Sequence, residues 1–233
     1  AQHEVACVYQ KVNITSDNNH LLMQIMQDVA KQHGLRCLLH EKPFDGVNGS
    51  GKHNNWSVVT NTGVNLFNPG SNPVENKPFL ATLACTIKAV DEYADLLRMS
   101  IASAGNDHRL GANEAPPAII SMFIGEDLND LIEEICEGKK INKIDSGRFA
   151  TGVSVVPTFS KDTTDRNRTS PFAFTGNKFE FRAVGSSQSI AGPNTILNAI
   201  LAEEMNQMAD ALESGKSFDD VVKEFILEHK RII

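Results

Sequence analysis

The chain is sparing with the residues that mark a specialised protein class. Its 233 residues include four cysteines, one tryptophan and two tyrosines. Cys7, Cys37, Cys85 and Cys136 stand far apart and form no C-x-x-C pattern. That spacing argues against a zinc knuckle or a redox dithiol and predicts buried free thiols in a reducing cytosol. No apolar run approaches the roughly 18 residues a membrane helix needs, so no membrane partner is expected. Basic runs are absent and the net charge is -7. A nucleic-acid binder would carry a basic face, so no nucleic-acid partner is expected. The opening Ala-Gln-His-Glu lacks the charged-then-apolar pattern of a secretion signal, which predicts a cytoplasmic protein. Three N-x-[ST] triplets, at Asn13, Asn55 and Asn167, carry no meaning without secretion.

What is present is an ordinary globular composition, 41% hydrophobic and 22% charged, long enough for one large domain or two small ones. There is no repeat and no low-complexity linker. Ser16 or Asp17 can cap a helix reaching about residue 33, where Gly34 stops it. Strands are expected over 36–40, 54–61 and 152–159. Leu80, Leu83, Ile87, Val90, Ala94, Leu97 and Ile101 trace one helical stripe, predicting a long helix over 78–103. Residues 104–117 form a long irregular stretch, of the kind that is usually functional or disordered. A helix over 127–136, a hairpin over 172–184 turning at Thr175-Gly-Asn, and helices over 193–214 and 218–232 complete the reading.

The densest stretch is Lys42-Pro-Phe-Asp-Gly-Val-Asn48-Gly-Ser-Gly-Lys52-His53-Asn-Asn-Trp-Ser57. Its glycines allow sharp bends and close approach to a ligand. Beyond them, His53, Asn55 and Ser57 alternate and would share one face of a strand. The run from Gly46 to His53 fits a phosphate-binding loop except at its last position. There the motif needs a Mg²⁺-binding hydroxyl and a helix immediately after it. Position 53 is instead histidine, and the next residues, Asn-Asn-Trp-Ser-Val-Val-Thr, are β-prone, so that reading is set aside.

Other polar residues fall in loops or on alternating strand faces: Glu4, Asn48, Arg109, Glu114, Arg168, Lys178, Glu180 and Arg182. Lys178, Glu180 and Arg182 share a face opposite Phe179 and Phe181. Carboxylates with a histidine suit a hard divalent cation, and arginines suit phosphate or carboxylate. Each residue also has a plainer reading. Glu4 can be a solvated charge, His53 a hydrogen-bonded structural histidine, and Lys-x-Glu-x-Arg a cross-strand ladder. Residue types alone support an α/β enzyme or ligand-binding domain with a metal and phosphate character.

Taken in order, these motifs resemble the catalytic domain of glutamine synthetase, most closely the long bacterial type III form, over essentially the whole chain, 1–233. Gln2-His-Glu4 looks like the family segment whose glutamate binds metal. Lys42-Pro followed by Asn48-Gly-Ser-Gly-x-His53 matches its most specific signature. The resemblance implies that His53 binds metal and that Asn48 and Gly49 contact glutamate. Asn55, where many members carry a second histidine, and Ser57 would lie near the nucleotide. His108-Arg109-Leu followed by Glu114-Ala-Pro resembles the flap. There Arg109 would bind glutamate, and Glu114 would close the site and take a proton from ammonium. Asn167-Arg168-Thr-Ser resembles the segment whose arginine faces the transferred phosphate, although the family's second arginine falls at Ala173. Lys178-x-Glu180-x-Arg182 resembles Arg-x-Glu-x-Arg. It implies Lys178 at the nucleotide, Glu180 on metal and Arg182 at the reacting centre.

The resemblance implies an α/β (α+β) fold: a curved, mainly antiparallel sheet in an open half-barrel with helices outside. It implies an ATP- and Mg²⁺- (or Mn²⁺-) dependent ligase joining ammonia to the γ-carboxylate of glutamate through an acyl phosphate. Homo-oligomeric double rings, dodecamers in the family, go with that. Members are longer, so the chain reads as a partial catalytic domain carrying one side of the site and inactive alone. Two alternatives stay open. One is a γ-glutamyl-amine or -polyamine ligase or a guanido kinase of the same superfamily, whose flap should differ. The other is a non-catalytic structural or sensing module.

Overall fold

The computed structural model describes residues 3–138 and 170–233, together with two short strands between them. In chain order the elements are α1 (Val12–Gln32), β1 (Gly51–Trp56), α2 (Lys77–Glu92), α3 (Ala94–Ser100), α4 (Ala104–Arg109), β2 (Met122–Phe123) and α5 (Glu126–Glu137). Then come β3 (Arg148–Phe149), β4 (Phe159–Ser160), β5 (Phe172–Phe174), β6 (Phe179–Gly185), α6 (Ala191–Glu213), α7 (Phe218–His229) and a 3₁₀ turn, Lys230–Ile232. The main sheet runs β1-β6-β5-β2. Its β1–β6 and β5–β6 pairs are antiparallel and β2–β5 is parallel, so the fold is mixed α/β. β3 and β4 pair separately.

The β5–β6 hairpin forms because Gly176 accepts φ 94° at the turn while the Thr175 amide donates to the Lys178 carbonyl at 2.8 Å. The turn sets the alternation of β6. Phe179 and Phe181 are fully buried, and Glu180 and Arg182 point the other way. The Phe172 and Phe179 rings stack at 4.6 Å and 6°, and Phe67 meets Phe179 edge-on at 5.1 Å. This aromatic cluster is the sheet's side of the core. The helical side is α2, which packs against α6 and α7. Pro78 sits in the first turn of α2, and the Asn76 side chain caps it by accepting from the Phe79 amide at 3.2 Å. A pair of opposite charges, Lys88 and Glu204, is buried in this layer. Lys88 donates to Glu204, Gln207 (2.6 Å) and Glu92 (3.3 Å) and lies 5.1 Å from the Phe225 ring centroid.

Several expectations needed correction. The helix over 78–103 is two helices, because Tyr93 (φ -112°, ψ 27°) turns the chain so that α3 meets α6. The buried stripe continues across the break through Leu97 and Ile101. No strand forms over 36–40, where Leu35 and Leu38 are exposed and no described strand lies alongside. The strand placed at 54–61 starts at Gly51 and ends at Trp56, and beyond it Val59 makes only an isolated bridge to Asn65. The stretch over 104–117 opens with α4, because Ser103 caps it by accepting from the Asn106 amide at 3.2 Å. The strand over 152–159 falls almost wholly outside the described residues. Among the thiols only Cys85 is buried; Cys37 and Cys136 are half-buried and Cys7 is exposed. No described helix is long and apolar enough to cross a membrane.

Phe179→Ala removes the ring on which the aromatic cluster turns. It should cost about 3–5 kcal/mol, read as a lower denaturant midpoint at unchanged m-value. A loss under about 1 kcal/mol would mean that the cluster is not the core of the sheet.

Candidate functional site

The site is built on the β1–β6 pair. Gly51 opposes Gly185, Lys52 opposes Val184, Asn54 opposes Phe181 and Asn55 opposes Glu180. Between Lys52 and Asn54 the register slips, leaving His53 opposite both Arg182 and Ala183. Such a bulge re-aims side chains locally. Asn54 and Trp56 turn inward, where they bond to Asn194 and Asn198 of α6 at 2.9 Å each. His53 turns to the opposite face and meets Glu180, with Nδ1 3.2 Å from Oε1. Arg182 Nε donates to the other Glu180 oxygen at 2.6 Å. Glu4 approaches the same His53 nitrogen at 4.0 Å from the rim, its side chain 81% exposed. Burial alone would raise the Glu180 carboxyl, but the hydrogen bonds and charges of His53 and Arg182 outweigh it and hold it at about 2. Glu180 is therefore an anion throughout the physiological range.

The glycine-rich loop has a second purpose, legible only in three dimensions. The buried Arg109 side chain runs beneath it and donates to Asn106 Oδ1 (2.9 Å), the Val184 carbonyl (3.3 Å) and the Arg182 carbonyl (3.0 Å). A Cβ at Gly51 would stand 2.0 Å from Arg109 Nη2, and one at Gly49 would stand 2.9 Å from Arg109 Cγ. The glycines make room for this arginine. Beside it Glu41, 2% exposed, accepts from the Ser187 amide at 2.9 Å and from the Ser187 hydroxyl at 2.5 Å. Burial would raise the Glu41 carboxyl too, but the Ser187 hydrogen bonds hold it below the usual carboxylate range. Lys52 reaches the same turn from its carbonyl side, donating to Ser186 (2.7 Å) and Gln188, and burial pulls its pKa down to about 8.

The remaining predicted residues lie around this centre. Asn48 is exposed and Gly49 half-buried on the loop. Glu114 is exposed on the segment after α4, and its neighbour Asn113 donates to the Val47 carbonyl at 3.4 Å, tying that segment to the loop. Asn55 is exposed on the His53 face, and Ser57, also exposed, lies just past the strand. Lys178 is half-buried at the hairpin turn, donating to Asn177 at 3.4 Å. Ala173 is buried in β5 opposite Glu180. Arg168 lies outside the described residues. The structure thus brings His53, Glu180, Arg182 and Glu4 together, with Arg109 packed behind the loop. Sequence reasoning missed Glu41, Lys52 and Asn106. A carboxylate at the mouth of a glycine-rich segment was the available signal for Glu41.

Two carboxylates and an imidazole suit a hard divalent ion. Donors sharing an ion at about 2.1 Å stand roughly 3–4 Å from one another. The 3.2 and 4.0 Å spacings from His53 Nδ1 are of that scale. Among the described residues, however, no group of three or more His, Cys, Asp or Glu closes into a metal-holding cluster. The three residues fit as part of a coordination shell rather than the whole. Two open clefts lie elsewhere, one of about 440 Å³ beside α5 and α7 and one of about 430 Å³ against α1.

Comparison with known proteins bears on the same residues. The family described as glutamine synthetase, catalytic domain, matches residues 1–119. The chain is 49% identical to the type-3 glutamine synthetase of Dictyostelium discoideum, covering 100% of this chain and 32% of that protein. It is 50% identical to a glutamine synthetase of Butyrivibrio fibrisolvens, over 100% of this chain and 34% of that one. It is 46% identical to one from Bacteroides fragilis, over 98% and 32%. The chain spans about a third of the length of these relatives.

The Glu180 carboxyl sits below its ordinary 4.5, so its ionised form stabilises the fold at neutral pH, and that contribution is lost as pH falls from about 4.5 to about 2. The stability gap between wild type and Glu180→Gln is expected to reach at most about 3 kcal/mol at neutral pH and to close toward pH 2. Equilibrium unfolding at a series of pH values checks this; a gap independent of pH would contradict it.

Proposed function

The chain belongs to the glutamine synthetase catalytic-domain family, and from that premise we propose that it carries part of an active site ligating ammonia to the γ-carboxylate of L-glutamate at the expense of ATP. The observation that carries the reading is the His53–Glu180–Arg182 chain with Glu4 at its rim, a charged constellation facing away from the core. Glu4, His53 and Glu180 would contribute ligands to Mg²⁺ or Mn²⁺. When bound, such an ion would supply positive charge to offset that of the phosphates, which is much of what phosphoryl transfer requires.

The remaining roles fall to the chain's own groups. Glu180 stays ionised because His53 and Arg182 hold it so, which keeps an anion available to a cation at any working pH. Arg182, fixed by Glu180, brings a permanent positive charge to the place where oxyanions develop. Asn48 and Gly49 would offer a side-chain amide and backbone to glutamate, with the Arg109 stem behind Gly49 and its guanidinium behind Gly51. Glu114, on a segment already tethered to the loop through Asn113, would close the site against water and accept a proton from ammonium. Asn55, Ser57 and Lys178 flank the face and would meet the nucleotide. Arg168 enters through the resemblance alone. The four strands would be part of an open half-barrel, and subunits would assemble as rings. The His108-Arg109 and Glu114 flap favours ammonia over a bulkier amine.

The test is phosphate release by the complete polypeptide carrying this chain, with Mg²⁺, ATP, glutamate and ammonia. Release requiring both glutamate and ammonia is expected, with no turnover by the 233 residues alone. A preference for polyamines would favour the amine-ligase alternative, and no Mg²⁺-dependent ATP binding by calorimetry would favour a non-catalytic module. His53→Ala should weaken divalent-metal binding at least ~10-fold; unchanged affinity would remove His53 from the shell.

A further inference from the structure

One buried, doubly hydrogen-bonded carboxylate near the site has no part in the proposed chemistry. We propose that Glu41 is a positioning residue, which fixes the glycine-rich loop and the Arg109 side chain in a single arrangement under the substrate. What the loop binds rests on the ligase reading, whereas the positioning itself rests on geometry.

Glu41 acts through both ends. Its backbone carbonyl accepts from the Ser50 amide at 2.7 Å, tying it to the loop. Its carboxylate accepts twice from Ser187, tying it to the turn after β6. That turn is also held by Lys52 through its carbonyls, so the loop and the turn are joined by one anion and one cation. Four glycines are shaped to this arrangement. A Cβ at Gly185 would stand 2.5 Å from Glu41 Oε1, and one at Gly105 would stand 2.9 Å from Oε2. A Cβ at Gly49 would stand 2.5 Å from the Glu41 carbonyl oxygen, and Gly51 is closed by the Arg109 guanidinium. The buried charges of Arg109 and Lys52 both feel Glu41. Without that anion the Arg109 guanidinium and the Lys52 ammonium both lose the counter-charge they share, which is costly for the buried Arg109. The loop is then expected to lift and the surface offered to glutamate to spread.

Two variants in the complete polypeptide test this. Glu41→Gln keeps the volume and removes the charge, and Ser187→Ala keeps the charge and removes the hydroxyl clamp. Both are read by steady-state kinetics and by amide hydrogen exchange over residues 46–51 without substrate. Glu41→Gln should raise the glutamate KM about 10-fold while the ATP KM stays within about twofold, and Ser187→Ala should do so more weakly. Exchange in the loop should quicken in both. A lowered thermal midpoint with unchanged glutamate KM would make Glu41 merely structural, and unaltered loop exchange in Ser187→Ala would overturn the proposal whatever the activity. Quickened exchange in a protein that turns over no glutamate would leave the positioning standing and remove the ligase reading.

Discussion

The pairing of β1 with β6 is the constraint on which the rest depends. It joins residues more than a hundred positions apart in sequence and lays His53 beside Glu180 and Arg182. One face of the pair is closed by the aromatic cluster and by the asparagine contacts to α6, so register cannot slip without moving Phe179 and Phe181 out of the core. The other face is consequently free to carry charge. The bulge at His53 is a local exception to regular pairing inside this fixed frame.

Behind that face lies a layer of charge largely withdrawn from solvent. Arg109 and Glu41 are buried in space vacated by four glycines from three separate parts of the chain, and Lys52 beside them is half-buried. The arrangement inverts the usual expectation of a glycine-rich loop. These glycines carry no Cβ where one would collide with the groups beneath the loop. They yield room so that an arginine from α4 and a glutamate from the loop's own entrance can pass beneath it. A loop supported from below by ionic contacts can be exposed on its upper side and still hold its shape.

Local patterns were legible in the sequence, and long-range ones were not. The alternation of Phe179 to Arg182, the turn at Gly176, and α5 and α7 follow from period and turn chemistry, which act over a few residues. The break at Tyr93 was invisible because the apolar stripe runs on through Leu97 and Ile101, and only packing against α6 tells one helix from two. Residues 36–40 have strand-forming composition, yet a strand needs a partner and none stands beside them among the described residues. For the site, His53 and Glu180 could be picked out by type and phase, and their contact needed the sheet. Glu41 was passed over because its significance lies in Ser187 and Gly185, far along the chain.

The Lys88–Glu204 pair has a consequence of another kind. Each residue is buried with the other as its main counter-charge. Losing either one strands a charge in the helical layer, whereas replacing both with apolar residues of similar volume is often nearly neutral. A single loss at either position is therefore expected to cost more stability than the joint apolar replacement. Across related sequences the two positions should change together or not at all, a historical lock rather than a chemical necessity.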